Sequence, residues 1–135
     1  MNHLPLSQPS VGHRLKLFLA LSRTPHGLLD LATPGLTALL CLGGFPPAKV
    51  ILLGLITVFA GYTAVYALND LVDYRTDIAK IKAGRTPEEG YLDGVMVRHP
   101  MAQGLLSFRE GLFWALAWAA AVSYTHLTLP TNREV

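Results

Sequence analysis

The sequence predicts an all-α membrane protein, and three observations point to this fold class. Hydrophobic residues make up 51% of the 135 residues and charged residues only 15%, whereas ordinary soluble domains carry about 25% charged residues. Residues 50–68 contain no charged side chain, and roughly 20 apolar residues span the hydrocarbon core of a bilayer. Turn and capping residues separate this run from two further apolar runs. We therefore expect membrane helices within a single domain.

The first membrane helix is predicted over residues 24–42. Thr24 is a good N-cap, and Pro25 is tolerated at the first helical position. Asp30 and the Pro34-Gly35 pair interrupt the apolar pattern, so we expect a kink in this helix. Neighbouring groups would then form hydrogen bonds with the backbone groups that the kink frees. A charge inside a membrane usually faces a cavity, but Asp30 lies near the helix end, where the cost falls. A functional role and a plain interfacial position therefore both stay open for Asp30.

Two further helices follow a predicted tight turn at residues 43–47. The second membrane helix is predicted over residues 48–68. A third is predicted over residues 107–122, because Ser107 and Glu110 fit the N-cap and N3 positions of a capping box. The apolar run of this third helix is too short to span a bilayer by itself.

The two ends of the chain differ from the central domain, which covers residues 23–122. Residues 1–22 form a weakly basic cytoplasmic or interfacial lead-in, whose short apolar run and lack of a cleavage site do not suit a secretory signal. The helical pattern breaks after Val122, and residues 123–135 are polar and β-prone. They resemble translated adaptor or vector sequence, so we expect a non-native tail; a genuine short tail is the alternative.

A cluster of acids follows the second apolar run directly. Asp70, Asp73 and Asp77 are spaced by three and four residues and fall on one face if the helix continues. At about 5–6 Å between neighbouring Cβ atoms, two unpaired carboxylates repel by about 3 kcal/mol at an effective dielectric of 20. A divalent cation removes this repulsion, and Mg²⁺ commonly binds one or two carboxylates together with substrate phosphates. The pattern predicts a site for Mg²⁺ and a diphosphate at the end of a membrane helix.

The distribution of basic residues predicts the orientation. Three basic residues precede the first helix, only Lys49 lies between the first two, and four follow the second: Arg75, Lys80, Lys82 and Arg85. Because cytoplasmic flanks carry the excess of Lys and Arg, the N-terminus and a loop over residues 69–109 should be cytoplasmic. The expected location is the cell inner membrane, with several membrane passes.

A resemblance to a known family rests on two motifs. Residues 69–77 read N-D-x-x-D-x-x-x-D and resemble the first aspartate-rich motif of the UbiA superfamily of intramembrane prenyltransferases, which lies at the cytosolic end of that family's second helix. Residues 98–104, with Ser107, are similar to the family's R-P…G…S stretch before its third helix, although His99 separates the Arg and the Pro here. The resemblance covers residues 22–122.

This resemblance implies the N-terminal part of a multi-helix bundle that transfers a prenyl group from a prenyl diphosphate to an aromatic or lipid acceptor, as in quinone, haem or lipid biosynthesis. It implies Mg²⁺ as the cofactor, Asp70 and Asp73 as catalytic metal ligands, and Asp77 as a less central ligand and substrate contact. Asn69 would orient a carboxylate or a phosphate-bound water. The sequence lacks the family's second aspartate-rich motif, so we expect an incomplete, inactive fragment.

Several other residues near the motif have two readings. Arg23 either faces the cavity that the resemblance implies or anchors the helix through the positive-inside effect. Lys80 and Lys82 either bind diphosphate oxygens or belong to a basic loop at the membrane surface. The five histidines show no metal-ligand spacing, so His26 and His99 are interpreted as interfacial.

Two other classes of function compete with this interpretation. A small membrane protein whose acids bind cations without catalysis is the main alternative. A phosphatidyl-alcohol transferase also uses membrane acids with metal, but the D-G-x-x-A-R core of that family is absent. A nucleic-acid partner is not expected, since the net charge is only +2 and the helices carry few Lys and Arg.

Overall fold

The computed structural model describes residues 10–85 and 96–128, except for the side chains of residues 126–128. Within these ranges the chain forms five α-helices and no strand, which confirms the predicted all-α class. The helices are α1 (Val11–Leu21), α2 (Thr24–Asp30), α3 (Ala32–Leu42), α4 (Ala48–Lys82) and α5 (Phe108–Thr128).

The first predicted helix, residues 24–42, is divided by Leu31 into α2 and α3. Pro34 has no N–H to donate to the carbonyl of Asp30, so the helical ladder is interrupted where a kink was expected. Helix α3 ends at Gly43, whose φ of 66° is a left-handed conformation that glycine adopts without a steric penalty. Proline and glycine therefore set both the break and the end of this segment.

Helix α4 is longer than the sequence predicted, since it continues from the expected end at Leu68 to Lys82. Its 35 residues span about 52 Å at 1.5 Å per residue. Asp77 and Lys80 pair one turn apart, with Nζ 3.0 Å from Oδ1, and such pairs support a helix outside an apolar environment. The predicted loop over residues 69–109 consequently begins after α4, and the acidic motif is helical.

One helix within the described ranges, α4, is long and apolar enough to cross a membrane, and 22% of its apolar stretch is buried in the fold. Large apolar side chains also face outward on α3, α5 and the turn between α3 and α4. Leu40 is 74% exposed, Phe45 84% and Phe113 77%. The fold thus leaves an extensive apolar surface uncovered.

The hydrophobic core lies beside the polar half of α4, where α1 packs against α4 and α5. Its buried members are Leu17, Leu21, Ala67, Leu71, Met101, Leu106 and Ala115. Phe18 stacks on Trp114 with ring centroids 4.9 Å apart, and the indole N–H of Trp114 donates to Ser22 Oγ at 2.8 Å. The described part of the N-terminal lead-in, α1, is therefore part of the packed structure, and it places residue 23 next to the acidic motif.

The capping box predicted for the third helix is confirmed. The N–H of Glu110 donates to Ser107 Oγ at 3.3 Å, and Glu110 Oε2 accepts from the N–H of Ser107 at 2.9 Å. These reciprocal bonds satisfy two donors at the start of α5. Arg14 of α1 also forms a salt bridge with Glu110, which ties α1 to the start of α5.

Helix α5 passes its predicted end at Val122 and continues to Thr128. The predicted break in the helical pattern is therefore wrong as far as Thr128, since helix propagation adds one bond per residue once a helix exists. Among the added residues with described side chains, Tyr124 is 69% exposed and Thr125 is partly buried. Residues 129–135 lie outside the described ranges, and a non-native origin of the tail stays a prediction.

Candidate metal site

Two of the three motif acids share one buried face of α4. Asp70 and Asp77 are seven residues apart, which is about two helical turns, and each is only 4% exposed. Burying two carboxylates is costly unless hydrogen bonds or counter-charges compensate. Their partners therefore define the site.

His99 lies between the two carboxylates. Its Nδ1 is 2.7 Å from Asp70 Oδ1 and 3.0 Å from Asp77 Oδ2. A single Nδ1–H donates to one acceptor well, and the hydrogen-bond geometry is met only toward Asp70. Asp77 Oδ2 is consequently buried without a hydrogen bond, whereas Asp77 Oδ1 accepts from Lys80 at 3.0 Å.

These three side chains fit a divalent cation by geometry and by chemistry. One ligand atom from each of Asp70, Asp77 and His99 lies within 4.8 Å of the other two. Neighbouring ligands of an octahedral ion at about 2.1 Å from the metal are about 3 Å apart. Asp77 Oδ2, which is buried without a hydrogen bond, would gain a partner on ion binding.

A small cleft adjoins the cluster. Asp70 and His99 border it together with Arg23, Arg98 and Pro25, and it encloses about 10 Å³, near the lower limit for one water molecule. The cleft is large enough for an ion or a water molecule but too small for a diphosphate group.

Two residues of this cleft have unusual backbone conformations. Arg23 and His99 are the non-glycine residues with positive φ within the described ranges, at 45° and 51°. Such conformations cost about 1–3 kcal/mol each and are concentrated at functional sites. Arg23 is held by the first turn of α2, where its carbonyl accepts from the N–H groups of His26 and Gly27. Both residues with a strained backbone, Arg23 and His99, therefore border the same cleft.

The other residues singled out from the sequence lie in different surroundings. Asp73 is partly exposed and is not part of the cluster, and Asn69 and Lys82 are exposed. Lys80 contacts Asp77, and Arg23 borders the cleft. The three acids therefore do not act as one row: a rotation of 100° per residue turns Asp73 about 60° away from Asp70.

Sequence reasoning missed His99 as a candidate ligand. It assigned His99 to an interfacial position because no histidine has a helical or short-range ligand spacing. The contact with Asp70 joins residues 29 positions apart, which no local pattern reveals. The available signal was the insertion of His99 between the Arg and the Pro of the second motif.

Asp30 has a partner in Tyr66, one turn before Asp70 on α4. The Tyr66 hydroxyl donates to Asp30 Oδ2, and Tyr62 stacks on Tyr66 with centroids 6.2 Å apart. Gly27 is buried where α2 approaches Tyr62 and Tyr66. The Asp30 carboxylate at the end of α2 is therefore hydrogen-bonded within the fold.

No family model, curated protein or solved structure matches this chain. Function is therefore argued from the site itself.

Proposed function

We propose that this chain provides the first aspartate-rich half of a UbiA-like prenyltransferase, which transfers a prenyl group from a prenyl diphosphate to an aromatic or lipid acceptor in the inner membrane. One observation carries the proposal. The buried Asp70–Asp77–His99 cluster lies where the apolar half of α4 meets its polar half. A substrate with an apolar chain and a charged head needs both environments at one place.

Each part of the site has a task in this reaction. Asp70 and Asp77 would hold Mg²⁺, and the bound ion would supply positive charge to the diphosphate leaving group. Arg23 and Arg98 bind diphosphate oxygens, because guanidinium groups match phosphate with paired hydrogen bonds. Preorganised charges stabilise a transition state well because they need little reorganisation, and the strained backbone of Arg23 and His99 supports such fixed positions.

The membrane setting is part of the proposal. The apolar stretch of α4, residues 50–68, is about 28 Å long at 1.5 Å per residue and matches a hydrocarbon core of about 30 Å. The outward apolar side chains of α3 and α5 then contact lipid or further helices. The N-terminus and the polar half of α4 lie on the cytoplasmic side, where the excess of Lys and Arg belongs.

Binding of farnesyl diphosphate to the 135-residue chain in lipid nanodiscs tests the proposal. We expect Mg²⁺-dependent binding that weakens at least tenfold with EDTA and at least tenfold in Asp70→Asn, since one buried metal ligand is lost. Arg23→Ala should also weaken binding, because Arg23 is assigned to the diphosphate oxygens. Arg75 is exposed on α4, so Arg75→Ala is the matched control. Equal binding with Mg²⁺ and EDTA would refute the proposal.

The same assay ranks the other two acids. The motif resemblance places Asp73 above Asp77, but the burial of Asp77 and the exposure of Asp73 favour the reverse order. We expect Asp77→Asn to weaken binding more than Asp73→Asn. A larger effect at Asp73 would restore the order that the resemblance implies.

A second candidate is a membrane protein that binds a cation without catalysis. The observation in its favour is that the cleft, at about 10 Å³, suits an ion better than a diphosphate. Cation binding without any binding of farnesyl diphosphate would select this candidate.

A further inference from the structure

We propose that His99 is a nitrogen ligand of the divalent cation that Asp70 and Asp77 hold, and that this mixed donor set selects Mn²⁺ over Mg²⁺. The inference deepens the proposed function, because it concerns the same site. It rests on the cation site alone and does not require prenyl transfer.

His99 Nδ1 has fewer protons than the buried carboxylate oxygens around it can accept. His99 Nδ1 faces one oxygen from each carboxylate, at 2.7 and 3.0 Å, but carries at most one proton there. One buried oxygen, Asp77 Oδ2, is left without a hydrogen bond. A cation between the three atoms gives every one of them a partner. A proton on His99 Nδ1 therefore leaves one buried carboxylate oxygen without a partner, whereas a bound cation leaves none.

The second argument is geometric. The two distances from Nδ1 match the separation of about 3 Å expected between neighbouring ligands of an octahedral ion. All three ligand atoms lie within 4.8 Å of one another, so one ion can contact all three. The remaining positions stay open toward the cleft, where water or phosphate oxygens complete the coordination.

The donor atoms of the cluster favour one divalent metal over another. Mg²⁺ prefers oxygen ligands throughout, whereas Mn²⁺ is a first-row transition metal that suits carboxylate ligands and binds nitrogen more readily than Mg²⁺ does. An Asp-Asp-His set is thus better suited to Mn²⁺ than an all-carboxylate site. The left-handed φ of 51° at His99 is consistent with a backbone held in place to direct the ring toward the carboxylates.

The experiment measures binding of Mn²⁺ alone and Mg²⁺ alone to the 135-residue chain in nanodiscs by calorimetry. We expect Mn²⁺ to bind at least tenfold more tightly than Mg²⁺. His99→Ala should weaken Mn²⁺ binding at least tenfold and Mg²⁺ binding by less than threefold. His13→Ala is the matched control, because His13 is exposed on α1. Equal Mn²⁺ affinity of the wild type and His99→Ala would overturn the inference.

A spectroscopic measurement on the wild type avoids dependence on the stability of the variant. Electron spin echo envelope modulation of bound Mn²⁺ should show coupling to a ¹⁴N nucleus, that of His99. The coupling should persist in His13→Ala. Its absence from the wild type would overturn the inference, even if farnesyl diphosphate binds. Conversely, a nitrogen-coupled Mn²⁺ without farnesyl diphosphate binding refutes the proposed function and leaves this inference standing.

Discussion

At the scale of single residues, buried and half-buried polar groups obtain partners from distant parts of the chain. Trp114 donates to Ser22, Tyr66 donates to Asp30, and His99 contacts Asp70. An unpaired buried polar group costs about 1–3 kcal/mol, so these contacts help to fix how α1, α2 and α5 lie against α4. Asp77 Oδ2 is the acid oxygen that departs from this rule, and it is in the candidate metal site.

The capping box predicts a dependence of stability on pH. Hydrogen bonds from the backbone N–H and the hydroxyl of Ser107, together with Arg14, hold the pKa of Glu110 below its usual value near 4.5. Glu110 lies before the apolar run of α5. Because its pKa is lower in the folded state, its contribution to stability is complete above about pH 4.5 and is lost as the pH falls through the lowered pKa.

We therefore expect Glu110→Gln to be less sensitive to acid than the wild type. Thermal unfolding in detergent micelles, followed by circular dichroism between about pH 3 and 6, measures this difference. Ser107→Ala should retain part of the pH dependence, since the backbone N–H of residue 107 still donates to Glu110. Parallel pH profiles for the wild type and Glu110→Gln would contradict the role of the capping box.

At the scale of elements, the start of α5 and the end of α3 at Gly43 followed local chemistry, whereas the ends of α4 and α5 did not. The start of α5 was predicted from Ser107 and Glu110, whereas the ends of α4 and α5 lie beyond Leu68 and Val122. A capping side chain marks a start within three residues of sequence. An end depends on how far pairs such as Asp77–Lys80 extend the helix.

Packing between α5 and the preceding segment predicts opposite effects for two glycines. A Cβ on Gly111 would lie 2.3 Å from Met101 Sδ, whereas a Cβ on Gly54 meets no atom within 4 Å. Met101 is 2% exposed and has little room to move. We expect Gly111→Ala to destabilise the fold by about 1–2 kcal/mol, because overpacking outweighs the gain in helix propensity.

Denaturant unfolding in micelles measures both variants. Gly54→Ala is the control and should be neutral or stabilising by up to about 1 kcal/mol. Equal effects of the two substitutions would show that the contact between Gly111 and Met101 is not tight in solution.

At the scale of the whole molecule, the distribution of apolar surface is the main feature. The packed core lies against α4 at Ala67 and Leu71. The outer surfaces of α3 and α5 expose large apolar side chains such as Leu40 and Phe113. Soluble monomers rarely expose apolar patches larger than a few hundred Å². This surface supports the proposed contact with lipid or with further membrane helices.

The proposed topology predicts labelling from opposite sides of the membrane. In a Cys41→Ser background, Phe45→Cys should react with an impermeant maleimide from the outer side, and Ala83→Cys only from the cytoplasmic side. The reason is the excess of Lys and Arg beside the polar half of α4. Cys41 itself is exposed, so its removal is required. Labelling of both positions from one side would refute the topology.

The sequence by itself determined the all-α class, the long apolar helix and the capping box at Ser107. These features depend on composition, helical periodicity and side-chain chemistry within a few residues. The tertiary structure decided that Asp77 rather than Asp73 joins Asp70, and that His99 completes the cluster. Those outcomes depend on which face of α4 is covered by a segment about thirty residues further along, and packing between distant segments has no local pattern in the sequence.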